Sequence, residues 1–139
     1  MFKKIVWATD GSESADRALA VAESLASEDD GTLLAVHSVE YIIGKGQIPE
    51  DVDEDERVAK IKGQVAALAQ KGLSTDTKVV HGGFTGAAHT LARVAQEEQA
   101  DLIVVGTRGH TVLAGLLLGS VTQRLLGIAP CPVLVVPAH

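Results

Sequence analysis

This chain of 139 residues contains one cysteine, one tryptophan, one tyrosine and two phenylalanines. With Cys131 alone, no intrachain disulfide can form, which agrees with a reducing compartment. No cysteine or histidine partner for Cys131 is evident, so it reads as a buried structural thiol. Aromatics at 3% leave too few rings to build a stacking platform for single-stranded nucleic acid. A net charge of −6 excludes the basic surface that a general phosphate-backbone binder needs. Any anion must therefore be gripped locally, by backbone amides or by one or two side chains. Long hydrophobic runs are also missing. The apolar run of MFKKIVWATDG stops at Asp10, shorter than the apolar core of a secretion signal, and no segment approaches membrane-spanning length. The expectation is a soluble, cytoplasmic protein that binds neither nucleic acid nor membrane.

Two nucleotide signatures are missing as well. No GxGxxG follows the first apolar run, and no Gly-Lys-Ser/Thr occurs anywhere. The five histidines (His37, His81, His89, His110 and His139) share no metal-ligand spacing, so no metal site is expected. His37, at the end of an apolar run, reads as a packed residue rather than a base. The acidic run Glu50–Glu56 reads as a solvated loop and helix start, with a partner surface as the other option.

What is present is an ordinary globular balance, 46% apolar and 22% charged, enough for one domain over residues 1–139. Ile5–Ala8 reads as a buried strand entering a turn at Thr9-Asp10-Gly11. Ser12 can cap a helix with Glu13 and Asp16 in its first turn, and Ala15, Ala18, Leu19, Ala22 and Leu25 share a face. Asp29-Asp30-Gly31 ends it, and Thr32–Val39 is a second strand. Glu40–Glu50 is a loop. A long helix over 52–71 should turn Val58, Ile61, Val65 and Leu68 inward. Thr75–Val80 is a third strand, and Thr85 caps a helix carrying Ala88, Leu91, Ala92 and Ala95. Leu102–Val105 is a fourth strand, a short helix runs from Ser120 to about Leu126, and Val133–Val136 closes the chain. Apolar strands alternating with helices predict an α/β fold: a five-stranded parallel sheet with helices on both faces, doubly wound and Rossmann-like.

In such a sheet the ligand crevice lies beyond the carboxyl ends of the strands, where the winding reverses. If strands one and four are central neighbours, Asp10 and Gly106 flank that crevice. The stretch GTRGHTVLAGLLLGS, residues 106–120, starts there. Gly106 and Gly109 permit positive backbone angles and close approach of a ligand. Gly119-Ser120-Val121-Thr122 opens a helix whose first amides suit a phosphate. Arg108 and His110 add charge, and the Ser120 and Thr122 hydroxyls can donate to phosphate oxygens. A plainer reading fits the same residues: Ser120 with Gln123 matches a capping box, and glycines after a strand are often turn residues. On the residues alone both readings stand.

The spacing Gly106, two residues, Gly109, nine residues, Gly119-Ser120 resembles the ATP-binding signature of the universal stress protein family. IVWATDGSESADRAL, ADLIVVGTRG and CPVLVVP extend the resemblance over nearly the whole chain. It implies an adenosine site lined by Ala8, Thr9 and Asp10, with Ser38 and Val39 beneath it. Val105 and Gly106 would contact the nucleoside, Gly109 would pass close to the phosphates, and Gly119, Ser120, Val121 and Thr122 would hold them, helped by Arg108. Ala8 departs mildly, being often proline in the family, and only main-chain shape is at stake. The implied cofactor is ATP, with Mg2+ as an option, and the implied role is a nucleotide-dependent switch or reservoir rather than an enzyme. A slow ATPase, or an AMP or cyclic-nucleotide binder using the same pocket, is the alternative. No Walker lysine and no evident general base speak for catalysis. The resemblance also implies a homodimer formed through the last strand, Val133, Leu134, Val135 and Val136, whose exposed edge invites pairing.

Overall fold

The computed structural model describes residues 1–39, 52–81, 86–107 and 118–137. Among the described residues nine elements alternate. They are β1 (Lys4–Ala8), α1 (Glu13–Glu28), β2 (Thr32–Val39), α2 (Val52–Gln70) and β3 (Ser74–His81), then α3 (Gly86–Glu97), β4 (Leu102–Gly106), α4 (Ser120–Ile128) and β5 (Val133–Val136). The strands form one sheet in the order β3-β2-β1-β4-β5, with every neighbouring pair parallel. The winding reverses between β1 and β4, which are hydrogen-bonded neighbours as the crevice argument required.

Successive strand residues point to opposite faces, and the two faces carry separate cores. Ile5, Trp7, Leu33, Ala35, Leu102 and Val104 pack beneath α1 and α2, where they meet Ala18, Ala22, Ile61 and Leu68. Val6, Leu34, Val36, Ile103 and Val105 pack beneath α3 and α4, where they meet Leu91, Val94 and Leu125. Near-continuous apolar strands are the consequence of burial on both sides. Trp7 is fully buried, and its indole N–H donates to the Ala15 carbonyl at 2.9 Å, so the one polar atom of the largest core side chain is satisfied.

Element ends differ from the sequence reading by one or two residues, which is where fraying and hydrogen-bond criteria matter most. Leu25, Val58 and Ala92 are half-buried rather than core, and Ala26 and Val94 are buried on their helices. Ser12 caps α1 as expected, its hydroxyl accepting from the Ala15 amide at 3.3 Å. At the other end Asp30, not Gly31, adopts the left-handed conformation, with φ 51. A β-carbon on Gly31 would instead meet the Phe2 and Lys3 carbonyls at 2.9 and 3.0 Å, so that glycine permits close chain packing. The Thr85 cap and the loop 40–50 lie outside the described residues. No described helix is long and apolar enough to cross a membrane.

Candidate functional site

The carboxyl ends of β1, β2 and β4 bring together most of the residues singled out in the sequence. Ala8 and Thr9 are buried at the end of β1. The Thr9 amide donates to the Val36 carbonyl at 3.0 Å, carrying the sheet ladder one residue past the strand. The chain then turns sharply. The Gly11 amide donates to Thr9 Oγ1 at 3.1 Å, and the Ser12 amide donates to Asp10 Oδ1 at 3.0 Å. Gly11 has φ +81, a conformation that glycine adopts at little cost. Asp10 therefore has a turn-forming role.

On the neighbouring strand, Ser38 and Val39 sit at the β2 exit opposite Val80 and His81. Ser38 Oγ is sealed from solvent and has no hydrogen-bond partner among the described residues. A buried unpaired hydroxyl is costly, on the order of 1–3 kcal/mol, unless something outside those residues meets it.

Across the crevice, Val105 and Gly106 end β4, paired with Val135 and Val136 of β5. The reason for glycine at 106 differs from the expected one. A β-carbon there would lie 2.2 Å from Ser14 Oγ and 2.7 Å from the Ser14 carbonyl oxygen. Gly106 lets α1 pack directly on β4, and no positive φ is involved. Thr122 also departs from expectation. It is buried, and its hydroxyl donates to the Gly106 carbonyl at 3.0 Å, so that proton ties α4 to β4 and is not offered to a phosphate.

The capping-box reading of Ser120 is overturned by the start of α4. Gly119 is the N-cap, with no side-chain cap hydrogen bond, and Ser120 is the first helical residue. Gly119 has φ −68 and ψ 159, an extended conformation open to any residue, so backbone strain does not explain it. Its amide donates to the Thr107 carbonyl at 2.6 Å, and the first intrahelical bond is Gln123 N–H to Gly119 at 3.0 Å. The amides of Ser120, Val121 and Thr122 are left with no intrahelical acceptor, at the positive end of the helix dipole. Arg108, Gly109 and His110 lie outside the described residues.

A polar cluster that the sequence reading missed packs against the β1–α1 turn from α2. His37 is buried, with Nδ1 2.9 Å from the Thr9 carbonyl oxygen and Nε2 against Glu54 Oε1. Arg57 reaches the other Glu54 oxygen at 3.4 Å. Lys60 donates to the Gly11 carbonyl at 2.9 Å and to Asp16 at 2.8 Å, and Gln64 donates to Asp16 at 2.9 Å. Glu54 is thus not part of a solvated acidic run. The signal was the spacing of 54, 57, 60 and 64, which places polar groups on one helical face. His37 is packed as expected, but it is hydrogen-bonded at both ring nitrogens.

Cys131 is half-buried rather than buried, and burial together with the Asp101 charge raises its thiol pKa. Among the described residues no three histidine, cysteine or acidic side chains gather to hold a metal ion.

Comparison with known proteins accounts for this architecture. Residues 1–137 match the family model described as the universal stress protein family. A universal stress protein of Thermus aquaticus is 38% identical over 140 residues, covering 98% of this chain and 99% of the relative. A solved universal stress protein of Archaeoglobus fulgidus superposes with a TM-score of 0.77 at 26% identity, covering 97% of this chain and 98% of its own. Another, solved as a universal stress protein in complex with cAMP, gives a TM-score of 0.73 at 26% identity and covers 99% of both chains. The chain belongs to the universal stress protein family.

Proposed function

We propose that the crevice between β1 and β4 binds ATP and that the protein works as a nucleotide-dependent switch or reservoir in a cytoplasmic stress response. The observation that carries this reading is the opening of α4. Its first turn is tied to the β4 exit through Gly119 and Thr122, beside the reversal point of the sheet, and the N-cap residue offers no side chain to its first amides. Thr9 and Asp10 on the β1 side, with Ser38 and Val39 at the β2 exit, would frame the nucleoside. Gly119 brings the chain to the phosphates, and Arg108 and Gly109 of the signature complete the loop. The relative in complex with cAMP supports an adenine nucleotide as the ligand class. A triphosphate is favoured by the amides at the helix start together with the second half of the glycine signature. Any Mg2+ would ride on the phosphates, since no described acidic cluster is built for it.

Mass spectrometry of ligand carried through purification, followed by calorimetric titration with ATP, AMP and cAMP, tests the assignment. ATP recovered and bound most tightly is the expected result. AMP or cAMP bound equally well would replace the triphosphate reading. Single-turnover assays showing no hydrolysis on the timescale of binding would keep the protein a binder rather than a slow ATPase.

Assembly as a homodimer is proposed through β5, which is bonded to β4 on one side only within the sheet. Val133 and Val135 pack on the core beneath α4, whereas Leu134 is 36% exposed. Leu134→Lys is therefore a cleaner probe of association than a charge at Val135. Sedimentation should show a dimer for the native chain at micromolar concentration and a monomer for the variant. A native chain that sediments as a monomer would remove the proposal.

A further inference from the structure

The nucleotide reading leaves one buried titratable group without a role: His37, seated behind the β1–α1 turn. Its two ring nitrogens face two acceptors, the Thr9 carbonyl through Nδ1 and the Glu54 carboxylate through Nε2. A carbonyl oxygen can only accept, so Nδ1 carries a proton whenever that bond is made. The contact between Nε2 and Glu54 needs a further proton between the two atoms. A neutral imidazole has one N–H and can serve one of the two acceptors, never both. The three groups are linked only while the pair holds that additional proton. Loss of it sets the Nε2 lone pair against a carboxylate, or turns the Nδ1 lone pair toward the Thr9 oxygen. His37 is 3% exposed, so water has little room to substitute.

We propose that His37 and Glu54 are positioning residues for the nucleotide turn. Their shared proton latches α2 onto Thr9 and makes nucleotide affinity depend on pH. Holding the Thr9 carbonyl fixes the plane of the peptide that also carries the Asp10 amide. The latch therefore sets the turn that presents Thr9, Asp10 and Gly11 to the crevice. The surroundings bear on its sign. From α2, Arg57 contacts the second Glu54 oxygen, and its stem would lie 3.2 Å from a β-carbon at Gly11. Lys60 is engaged with the Gly11 carbonyl and with Asp16 of α1. Asp10 follows Thr9 and is turned to the Ser12 amide. On β3 the register partner of His37 is Val79, and the adjacent Lys78 is paired with Glu98. The latch thus places its proton between a carboxylate already shared with Arg57 and a ring that must also serve Thr9. Removing that proton frees the start of α2 from the turn.

The inference rests on the nucleotide reading for its affinity arm, and Glu54→Gln separates it from a merely structural role. The glutamine amide can donate to the Nε2 lone pair of a neutral ring whose Nδ1–H still serves Thr9. The bridge then persists without a titrating proton. Calorimetry with ATP is run as a pH series from about 5.5 to 8.5. Native affinity should fall roughly tenfold as pH rises, within the usual span of coupled equilibria. Glu54→Gln should be flat at the acid-side affinity, and Glu54→Ala should be flat at the weak one. Amide-exchange protection of Gly11 and Ser12 in the ligand-free protein should follow the same pattern. A pH-independent native affinity, or a Glu54→Gln profile that still slopes like the native one, overturns the proposal. If no adenine nucleotide binds at any pH, the nucleotide reading and the affinity arm both fail. The exchange measurement on the ligand-free protein still decides whether the latch exists.

Discussion

The two ends of the sheet are finished in different ways. At the amino end the chain closes on itself. Asp101 Oδ2 accepts from the Lys3 and Lys4 amides at 2.9 Å each, and its own amide donates to the Lys4 carbonyl at 2.8 Å. The Thr32 amide donates to the Lys3 carbonyl at 2.7 Å, and Asp29 accepts from the Phe2 amide and the terminal ammonium. At the carboxyl end the strand exits are also held, but among the described residues not every polar group there has a side-chain partner. Ser120, Val121 and Thr122 begin α4 without a side-chain cap, and Ser38 Oγ has no described partner. The difference is one of satisfaction within one sheet: backbone groups at the amino end are met by the fold, and the carboxyl end is where open parallel sheets place a ligand crevice.

The largest test of this contrast uses a glycine from each end. Gly106→Ala would force a β-carbon against Ser14 at 2.2 Å from Oγ and 2.8 Å from its carbonyl carbon, so α1 must lift from β4. Gly31→Ala meets the Phe2 and Lys3 carbonyl oxygens at 2.9 and 3.0 Å, a less severe approach. The expected losses are about 3 kcal/mol or more for the first and about 1–2 kcal/mol for the second, at the upper and middle range of overpacking. Urea unfolding of both variants measures them. Equal midpoints would show that α1 does not seat on β4 as closely as the geometry requires.

A glycine whose backbone angles any residue can adopt should behave in the opposite way. Gly119 adopts an extended φ that valine tolerates. Gly119→Val is expected to cost less than about 1 kcal/mol of stability, the scale of an N-cap change, while abolishing ATP binding. Gly109→Val should likewise lose binding, and Gly115→Ala should remain close to native. Calorimetry reads the affinity, and circular dichroism verifies the fold of each variant. A folded Gly119→Val that binds ATP at native affinity removes the phosphate assignment.

These two glycines also show how far the sequence could be read. Strand and helix order was legible because both-sided burial writes uninterrupted apolar strands, and because Ser12 and Asp29-Asp30 punctuate α1 with side chains that act locally. The reversal between β1 and β4 entered the sequence reading only as a condition, and the order β3-β2-β1-β4-β5 meets it. Gly106 was not legible in the same sense. Its constraint is Ser14, a contact made across 92 positions of chain (106 − 14), and no periodicity encodes such a contact. Thr122 was assigned to a phosphate because hydroxyls at helix starts often serve anions, yet tertiary packing turned it to Gly106. Glu54 was hidden for a related reason. Among neighbouring acids it looks solvated, and only the placement of α2 over His37 makes it different.

A pair of aspartates sharpens the comparison at smaller amplitude. Asp101→Ala removes the acceptor of two backbone amides at the amino end. It should cost about 1 kcal/mol of stability, the usual net value for exposed hydrogen bonds, with ATP affinity unchanged. Asp10→Ala also removes an amide acceptor, that of Ser12, so a similar or smaller loss of stability is expected. If its carboxylate also serves the nucleotide, ATP affinity should fall roughly tenfold, a scale set by a lost charge-assisted hydrogen bond. Thermal melts and titrations on the two variants give a crossed pattern under this reading. An Asp10→Ala variant that loses stability but keeps native affinity would confine Asp10 to the turn.

The smallest effect belongs to Asp29, the C-cap of α1. A carboxylate beside the carbonyl end of a helix is ordinarily unfavourable. Here the terminal ammonium bonded to it, then the Phe2 amide, hold its carboxyl below the ordinary carboxylate value, against desolvation, which acts in the other direction. The sign follows from that depression. The folded chain prefers the ionised form more than the unfolded chain does, so the contribution is present above the ordinary carboxylate range. It is lost as pH falls through that range to the lower folded value. Because the group is exposed, screening keeps the contribution small. Asp29→Asn should lower the melting temperature slightly at neutral pH, and the difference should shrink as pH falls through and below the usual aspartate range. Acetylating the terminal amine should reproduce most of the loss in the native chain and add little in the variant, since the ammonium is the largest cause. A native-minus-variant difference that grows on acidification would reverse the sign and detach Asp29 from the amino-end closure.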